Sequence, residues 1–89
     1  MVWEMETENK FKVLISKIPL FHRHITESVV RRRAEETAGQ RNSSQVQEED
    51  VVAAFFSDVP SPFYSMMIRL LAQNGFHYKK YGYPKNNNK

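Results

Sequence analysis

Pro19 separates two segments of the chain whose apolar residues recur at helical spacing. The apolar residues before it fall at i, i+3, i+4 and i+7, on one face of a helix: Phe11, Leu14, Ile15 and Ile18. Proline lacks an N–H and disfavours the helical conformation in the preceding residue, so a helix over residues 6–17 should end there. Proline is also accepted in the first turn of a helix. We therefore predict a helical hairpin hinged at Pro19.

The second predicted helix covers residues 20–38 and is the longest. Its apolar stripe runs at steps of about four residues and is predicted to be buried: Phe21, Ile25, Val29, Ala34 and Ala38. Gly39 follows the stripe at the position where a left-handed residue commonly ends a helix. We predict that this glycine is the C-cap.

A polar connection over residues 40–47, with Val46 as its one apolar anchor, leads to a third predicted helix. Glu48, Glu49 and Asp50 place negative charge in its first turn, where the helix dipole favours it. The apolar residues that follow predict a short helix of about nine residues. The acidic residues and the apolar residues that follow them thus both place the start of this helix near residue 48.

A fourth helix is predicted over residues 62–74, after Ser61 as N-cap and Pro62 in the first turn. Gly75 is its predicted C-cap. We expect Phe63, Met66 and their apolar neighbours on this helix to be core residues, although methionine-rich surfaces also serve as adaptable binding grooves. The sequence thus predicts an all-α fold, a single small four-helix domain over residues 1–84, with residues 85–89 disordered.

Composition excludes several classes of function. The 89-residue chain contains no cysteine, which excludes disulfides, thiolate nucleophiles and cysteine-held iron–sulfur clusters within it. No apolar run approaches the ~18 residues of a membrane span. The first residues are acidic, unlike the basic start of a signal peptide. We therefore expect a cytoplasmic protein without membrane contact.

Residues 3–56 contain an early tryptophan, a short predicted helix and then three sequence elements, and this arrangement resembles a known domain. The elements are Leu14-x-x-x-Ile18-Pro19-x-Phe21-x-Arg23, Arg33-Ala34-Glu35-Glu36-x-Ala38-Gly39 and Val46-x-x-Glu49-Asp50-Val51-x-x-Ala54. Together they resemble the C-terminal domain of the B subunit of light-independent (dark-operative) protochlorophyllide reductase, a domain that also occurs in small free-standing proteins. The Ile-Pro-x-Phe-x-Arg element is the most specific of the three.

The chain also departs from this family. Gln47 stands where the family usually has threonine or serine before the third helix, and the last helix and the tyrosine-rich segment lie outside the usual domain. In the reductase, the catalytic machinery, the clusters and the tetrapyrrole site are built mainly by larger subunits. The resemblance therefore implies a helical accessory module that binds a larger protein such as an oxidoreductase subunit. It implies neither an enzyme nor a bound cofactor.

The corner formed by Pro19, Phe21 and Arg23 has two interpretations. It can be a recognition corner in which Phe21 is presented to a partner. It can equally be structural: Pro19 sets the turn, Phe21 packs between the first two helices, and Arg23 caps backbone carbonyls. We favour the structural interpretation, which predicts that Phe21→Ala destabilises the fold by ~3 kcal/mol.

The consecutive residues Arg31 and Arg32, with Arg33, can bind phosphates through their guanidinium groups. This reading supports an alternative function, a small basic histone-like nucleic-acid-binding protein. The competing interpretation is a solvated helix face on which Glu35 and Glu36 pair with the arginines four residues before them. We favour the solvated face, because acidic and basic blocks alternate along the chain.

The segment after Gly75 interleaves aromatic and basic residues, among them Tyr78, Lys79, Lys80 and Tyr81. Such a pattern can stack on single-stranded nucleic acid or on a flat ring, which gives a third alternative, a tetrapyrrole-binding accessory protein. The structural interpretation is that the segment folds back and covers the core with its rings. We favour this second interpretation for so small a domain.

Metal binding and catalysis are not predicted. His22 and His24 are two residues apart and point to opposite sides of a helix, whereas helical metal ligands need a spacing of three or four. Ser43 and Ser44 lie in a polar loop without a neighbouring histidine, and no phosphate-binding glycine loop is present. The predicted site therefore consists of interaction residues alone.

Overall fold

Four α-helices make up most of the computed structural model, which describes residues 1–85. They are α1 (Met5–Ser16), α2 (Leu20–Gln40), α3 (Glu48–Asp58) and α4 (Tyr64–Gln73). Two strands of two residues each, β1 (Val2–Trp3) and β2 (Gln45–Val46), pair in parallel, and 3-10 turns occupy Ser61–Phe63 and Tyr78–Tyr81. The predicted all-α, four-helix fold is confirmed. Of the segment predicted to be disordered, residues 86–89 lie outside the described residues.

The hairpin between α1 and α2 turns at Pro19, as the sequence predicts. Glu4 caps the start of α1 by accepting a hydrogen bond from the Thr7 amide at 3.0 Å. Pro19 is the N-cap of α2, and its carbonyl accepts from the His22 amide at 3.0 Å. The break is thus sharp, with three residues between the two helices.

The predicted end of α2 at Gly39 is wrong. The helix continues through Gly39 to Gln40, and the left-handed residue is Asn42, with φ of 61°. The Ser43 amide closes the turn by bonding to the Ala38 carbonyl at 2.9 Å. Asparagine tolerates this conformation because its short polar side chain relieves the steric cost. The glycine therefore sits within the helix.

The predicted buried stripe of α2 is also wrong in its first half. The buried residues of this helix are Val30, Ala34 and Ala38, whereas Phe21 and Ile25 are exposed and Val29 is half-buried. The reason is that α2 is much longer than α3. At 1.5 Å per residue, the 21 residues of α2 extend about twice as far as the 11 residues of α3, which packs along it. The amino-terminal half of α2 is left partly uncovered.

Asp50 fixes the start of α3 although it is fully buried. Its carboxylate accepts from the Gln47 amide at 2.9 Å and from Arg41 Nε and Nη2 at 3.0 and 2.7 Å. Gln47 and Asp50 form a capping box. The hydrogen bonds raise the pKa of Arg41 against the effect of burial. This network joins the end of α2 to the start of α3.

The core lies between the helices and is closed by the short strands and the C-terminal segment. Its largest fully buried side chains include Phe11, Leu14, Leu71 and Phe76. Trp3 and Val46 reach it through the paired strands, which the sequence did not predict. Gly75, with φ of 82°, is the predicted left-handed cap after α4 and turns Phe76 inward.

Candidate functional site

An apolar groove runs between the amino-terminal half of α2 on one side and α4 with its preceding turn on the other. Ile18, Pro19, Phe55, Val59 and Pro60 also line it. The cavity within it measures about 240 Å³. The groove exists because α3 covers only the second half of α2, so the first half faces α4 across open space.

The side chains along both walls are large, apolar and open to solvent. Phe21 and Ile25 on α2 are 81% and 66% exposed, and Phe63 and Met66 across the groove are 53% and 41% exposed. Ile25, Phe63 and Met66 line the cavity, whereas Phe21, one helical turn before Ile25, is not part of its lining. The prediction that Phe63 and Met66 belong to the core is wrong, although Met67 beside them is buried.

Few polar groups face the groove, and its polar backbone is already satisfied. The carbonyl of Pro60 accepts from the Phe63 amide at 3.0 Å, as that of Pro19 does from His22. The carboxylate of Asp58, at one end, is bound by Arg33 Nε at 2.9 Å. The groove therefore offers apolar contact and little hydrogen bonding.

The three residues of the predicted corner, Pro19, Phe21 and Arg23, have different roles in the structure. Arg23 has the structural role, because its Nη2 donates to the Ser16 and Ile18 carbonyls at 2.9 and 3.0 Å and so caps the end of α1. Phe21 does not pack between the helices as predicted; within residues 1–85 the ring beside it is that of His22, with centroids 4.5 Å apart. Pro19 turns the chain and lines the groove.

Arg31 and Arg33 are engaged within the fold. Arg31 lies over the rings of Trp3 and Phe11, at 4.6 and 5.3 Å from their centroids, and pairs with Glu27 at 3.3 Å. Arg33 pairs with Asp58 as described. Among residues 1–85, the exposed Arg32 makes no ion pair.

The predicted pairs of Arg31 and Arg32 with Glu35 and Glu36 do not form. Glu35 instead accepts from the Trp3 indole N–H at 3.0 Å, and Glu36 lies 3.4 Å from Arg33. Glu35 bonds to Trp3 and not to Arg31 because β1 places Trp3 against α2. The sequence did not indicate this contact.

The segment with Tyr78, Lys79, Lys80 and Tyr81 folds back on the core, as the favoured interpretation predicts. Both tyrosines pack half-buried against it, and Tyr83 stacks on Phe56 with centroids 4.8 Å apart. Lys79 and Lys80 are exposed. The rings thus serve packing, and the two lysines stay in water.

Glu48 anchors this segment to the rest of the domain. It is bound by Lys10 Nζ and by the His77 amide, the latter at 2.7 Å. Burial alone would raise the pKa of Glu48, but these hydrogen bonds outweigh it and hold the pKa below its ordinary value. Burial, together with the nearby charge of Glu48, raises the pKa of Tyr81 to about 12.

No group of three or more histidine, aspartate or glutamate side chains in residues 1–85 is arranged to hold a metal ion. His22 and His24 lie on α2, and His77 contacts Glu48 through Nδ1 at 3.2 Å. None of the helices in the described part of the chain combines the length and hydrophobicity needed to cross a bilayer.

Comparison with protein-family models, curated proteins and solved structures finds no match to this chain. The sequence offered a methionine-rich groove only as the less favoured alternative to a core position for Phe63 and Met66. The one signal for it was the spacing of Phe63, Met66 and Leu70, which gives α4 a second apolar side next to the buried Met67.

Proposed function

We propose that this protein is a non-catalytic interaction module whose apolar groove binds a larger protein. The observation that carries the proposal is the groove itself: two helical walls expose large apolar side chains toward one cavity, and no other element of residues 1–85 covers them. Contiguous apolar patches of this kind mark binding surfaces in soluble proteins, whereas single exposed apolar residues do not.

Stability does not account for these side chains. A largely exposed phenylalanine or isoleucine gains only part of the ~2 kcal/mol that full burial of its side chain supplies. Phe21 and Ile25 also lie on the part of α2 that contacts the core least. A partner that covers them would supply the burial that the monomer lacks.

We further propose that the partner is an oxidoreductase subunit. The support is the resemblance to the reductase-associated domain, whose most specific element is Ile18-Pro19-x-Phe21-x-Arg23 in this chain. Ile18 and Pro19 line the groove, Phe21 is exposed one helical turn before the lining residue Ile25, and Arg23 fixes the turn that presents them. Part of the element that carries the resemblance therefore lies in the groove.

The test is recovery of partners from the native host by the tagged protein, with two matched variants. Ile25→Glu places a charge inside the groove. Leu20→Glu places the same charge on the same helix at a residue that is 74% exposed and lies outside the groove. We expect the wild type and Leu20→Glu to retain one larger subunit in stoichiometric amount, and Ile25→Glu to lose it.

Equal recovery by all three proteins would refute the groove as the binding site. Recovery of nucleic acid instead, with retention on DNA that falls steeply with added salt, would favour the histone-like alternative. A red-shifted porphyrin absorption band on mixing would favour the tetrapyrrole-binding alternative. The engagement of Arg31 and Arg33 within the fold leaves Arg32 as the freer guanidinium of that run.

A further inference from the structure

We infer that the occupant of the groove is an amphipathic α-helix of the partner with acidic residues flanking its apolar stripe. The inference rests on the proposed function and specifies the chemistry of the partner. Two independent observations support it: the groove has almost no free backbone hydrogen-bonding groups, and its walls carry more cations than carboxylates, the carboxylates being paired with arginines.

The backbone of the groove argues for a helix over an extended peptide. An extended segment buried in a groove needs partners for its N–H and C=O groups, usually an exposed strand edge. The walls here are helices and proline turns, the carbonyls of Pro19 and Pro60 are already bonded, and Arg23 occupies those of Ser16 and Ile18. A helix satisfies its own backbone and needs only apolar contact.

The charge of the walls argues for acidic flanks. The segments over residues 14–30 and 58–74, which supply most of the lining, contain Lys17, Arg23 and Arg69, and their two carboxylates, Glu27 and Asp58, are each paired with an arginine of α2. The single carboxylate of the lining, that of Asp58, is neutralised by Arg33. Arg32, seven residues after Ile25, adds positive charge on the same side of α2.

The same charges argue against a second copy of this chain. A symmetric dimer through the groove would bring each wall, with its cations, against the identical wall of the partner copy. Like charges brought together at an interface oppose association. An acidic helix places opposite charges at the same positions, so its rim contacts attract.

The apolar lining suits the side chains of such a helix. Met66 and Met67 are unbranched and adapt their shape to a neighbour, and Phe63 and Ile25 add larger apolar side chains to the lining. Apolar residues at i, i+3 or i+4, and i+7 of the bound helix would insert between the two walls. Glutamate or aspartate beside that stripe would reach the cationic rims.

The test uses two synthetic helical peptides of about 18 residues with the same leucine stripe, one flanked by glutamate and the other by lysine. Binding is measured by fluorescence anisotropy against the full-length protein. We expect the acidic peptide to bind at least about tenfold more tightly, because attraction at several rim positions becomes repulsion in the basic peptide. Ile25→Glu should abolish binding, and Leu20→Glu should not.

A charge reversal separates the two parts of the inference. The double variant Lys17→Glu/Arg69→Glu should reverse the preference between the peptides, and Lys79→Glu, at an exposed site outside the groove, should leave it unchanged. Equal binding of both peptides to the wild type would overturn the acidic flanks and leave the proposed function standing. Binding of neither peptide would overturn the helical occupant.

The oligomeric state supplies the remaining outcome. Light scattering should show a monomer whose mass does not change with concentration. A dimer that Ile25→Glu dissociates would identify the occupant as a second copy and overturn the inference. The proposed function has a separate test, because it fails if the wild type and Ile25→Glu recover the partner equally.

Discussion

Replacing Phe21 with alanine tests whether its side chain is exposed or belongs to the core. The sequence alone predicts that Phe21→Ala costs ~3 kcal/mol, the typical penalty for a buried ring. In the structure this side chain is 81% exposed, and its ring neighbour is His22 on the same helix. The structure therefore predicts a much smaller loss.

The expected loss of stability in Phe21→Ala follows from the surface area that the phenylalanine ring buries. A buried phenylalanine removes roughly 200 Å² from water, so one-fifth burial corresponds to roughly 40 Å². At ~25 cal/mol per Å², this area contributes about 1 kcal/mol. Alanine is the better helix former by up to ~0.7 kcal/mol, which offsets most of that contribution. We expect the free energy of unfolding to fall by less than ~0.5 kcal/mol.

Phe11→Ala is the matched control, because the ring of Phe11 is fully buried and lies 5.2 Å from that of Trp3. Its loss should cost about 3–5 kcal/mol. Urea denaturation followed by circular dichroism measures both variants. For a domain of this size the melting temperature should fall by at least about 12 °C in Phe11→Ala and by less than about 4 °C in Phe21→Ala.

A loss above ~2 kcal/mol in Phe21→Ala would show that the ring is buried in solution and would contradict the exposed apolar surface beside the groove. A small loss combined with weaker partner retention would assign Phe21 to binding. The variant thus tests the fold and the proposed function with separate readouts.

Three further variants test the polar network. Arg41→Ala should lower the free energy of unfolding by about 2 kcal/mol, because the buried carboxylate of Asp50 loses both guanidinium hydrogen bonds; a loss below ~0.5 kcal/mol in urea denaturation would contradict this role. The pKa of Glu48 is lowered by folding, so its contribution to stability is present above the unfolded value of 4.5 and is lost as the pH falls through the folded pKa. The wild type should therefore lose stability on acidification more steeply than Glu48→Gln, and parallel curves would refute this. The pKa of Tyr81 is raised to about 12, so its contribution is present below the unfolded value of 10.0 and is lost as the pH rises through about 12. In an ultraviolet titration of tyrosinate, Tyr81→Phe should remove a component near pH 12, and its persistence would refute the assignment.

Helical periodicity and proline placement were enough to predict the four helices. The spacing of Phe11, Leu14 and Ile15 gives the buried face of α1 correctly, and Pro19 gives the hinge. Gly75 is the left-handed cap after α4. These are local signals, in which a residue's own conformational limits determine what the chain does next.

The signals failed where the outcome depended on a neighbour. An apolar stripe on α2 shows which side avoids water, but burial requires a second element long enough to cover it, and α3 is too short to reach Phe21 and Ile25. The strands of two residues are below the length at which alternation is visible. The bond from Trp3 to Glu35 depends on that pairing and was missed with it.

Local conformational limits also explain why the groove is preformed. Its walls, over residues 14–26 and 59–74, contain no glycine, and prolines stand at Pro19, Pro60 and Pro62, where each wall begins. Prolines at turns restrict the backbone before any partner arrives, which reduces the ordering that binding must impose. The groove residues therefore need little stabilisation from one another, because the turns and the core half of α2 already hold the walls apart. Substitutions on the exposed faces should accordingly change binding far more than folding.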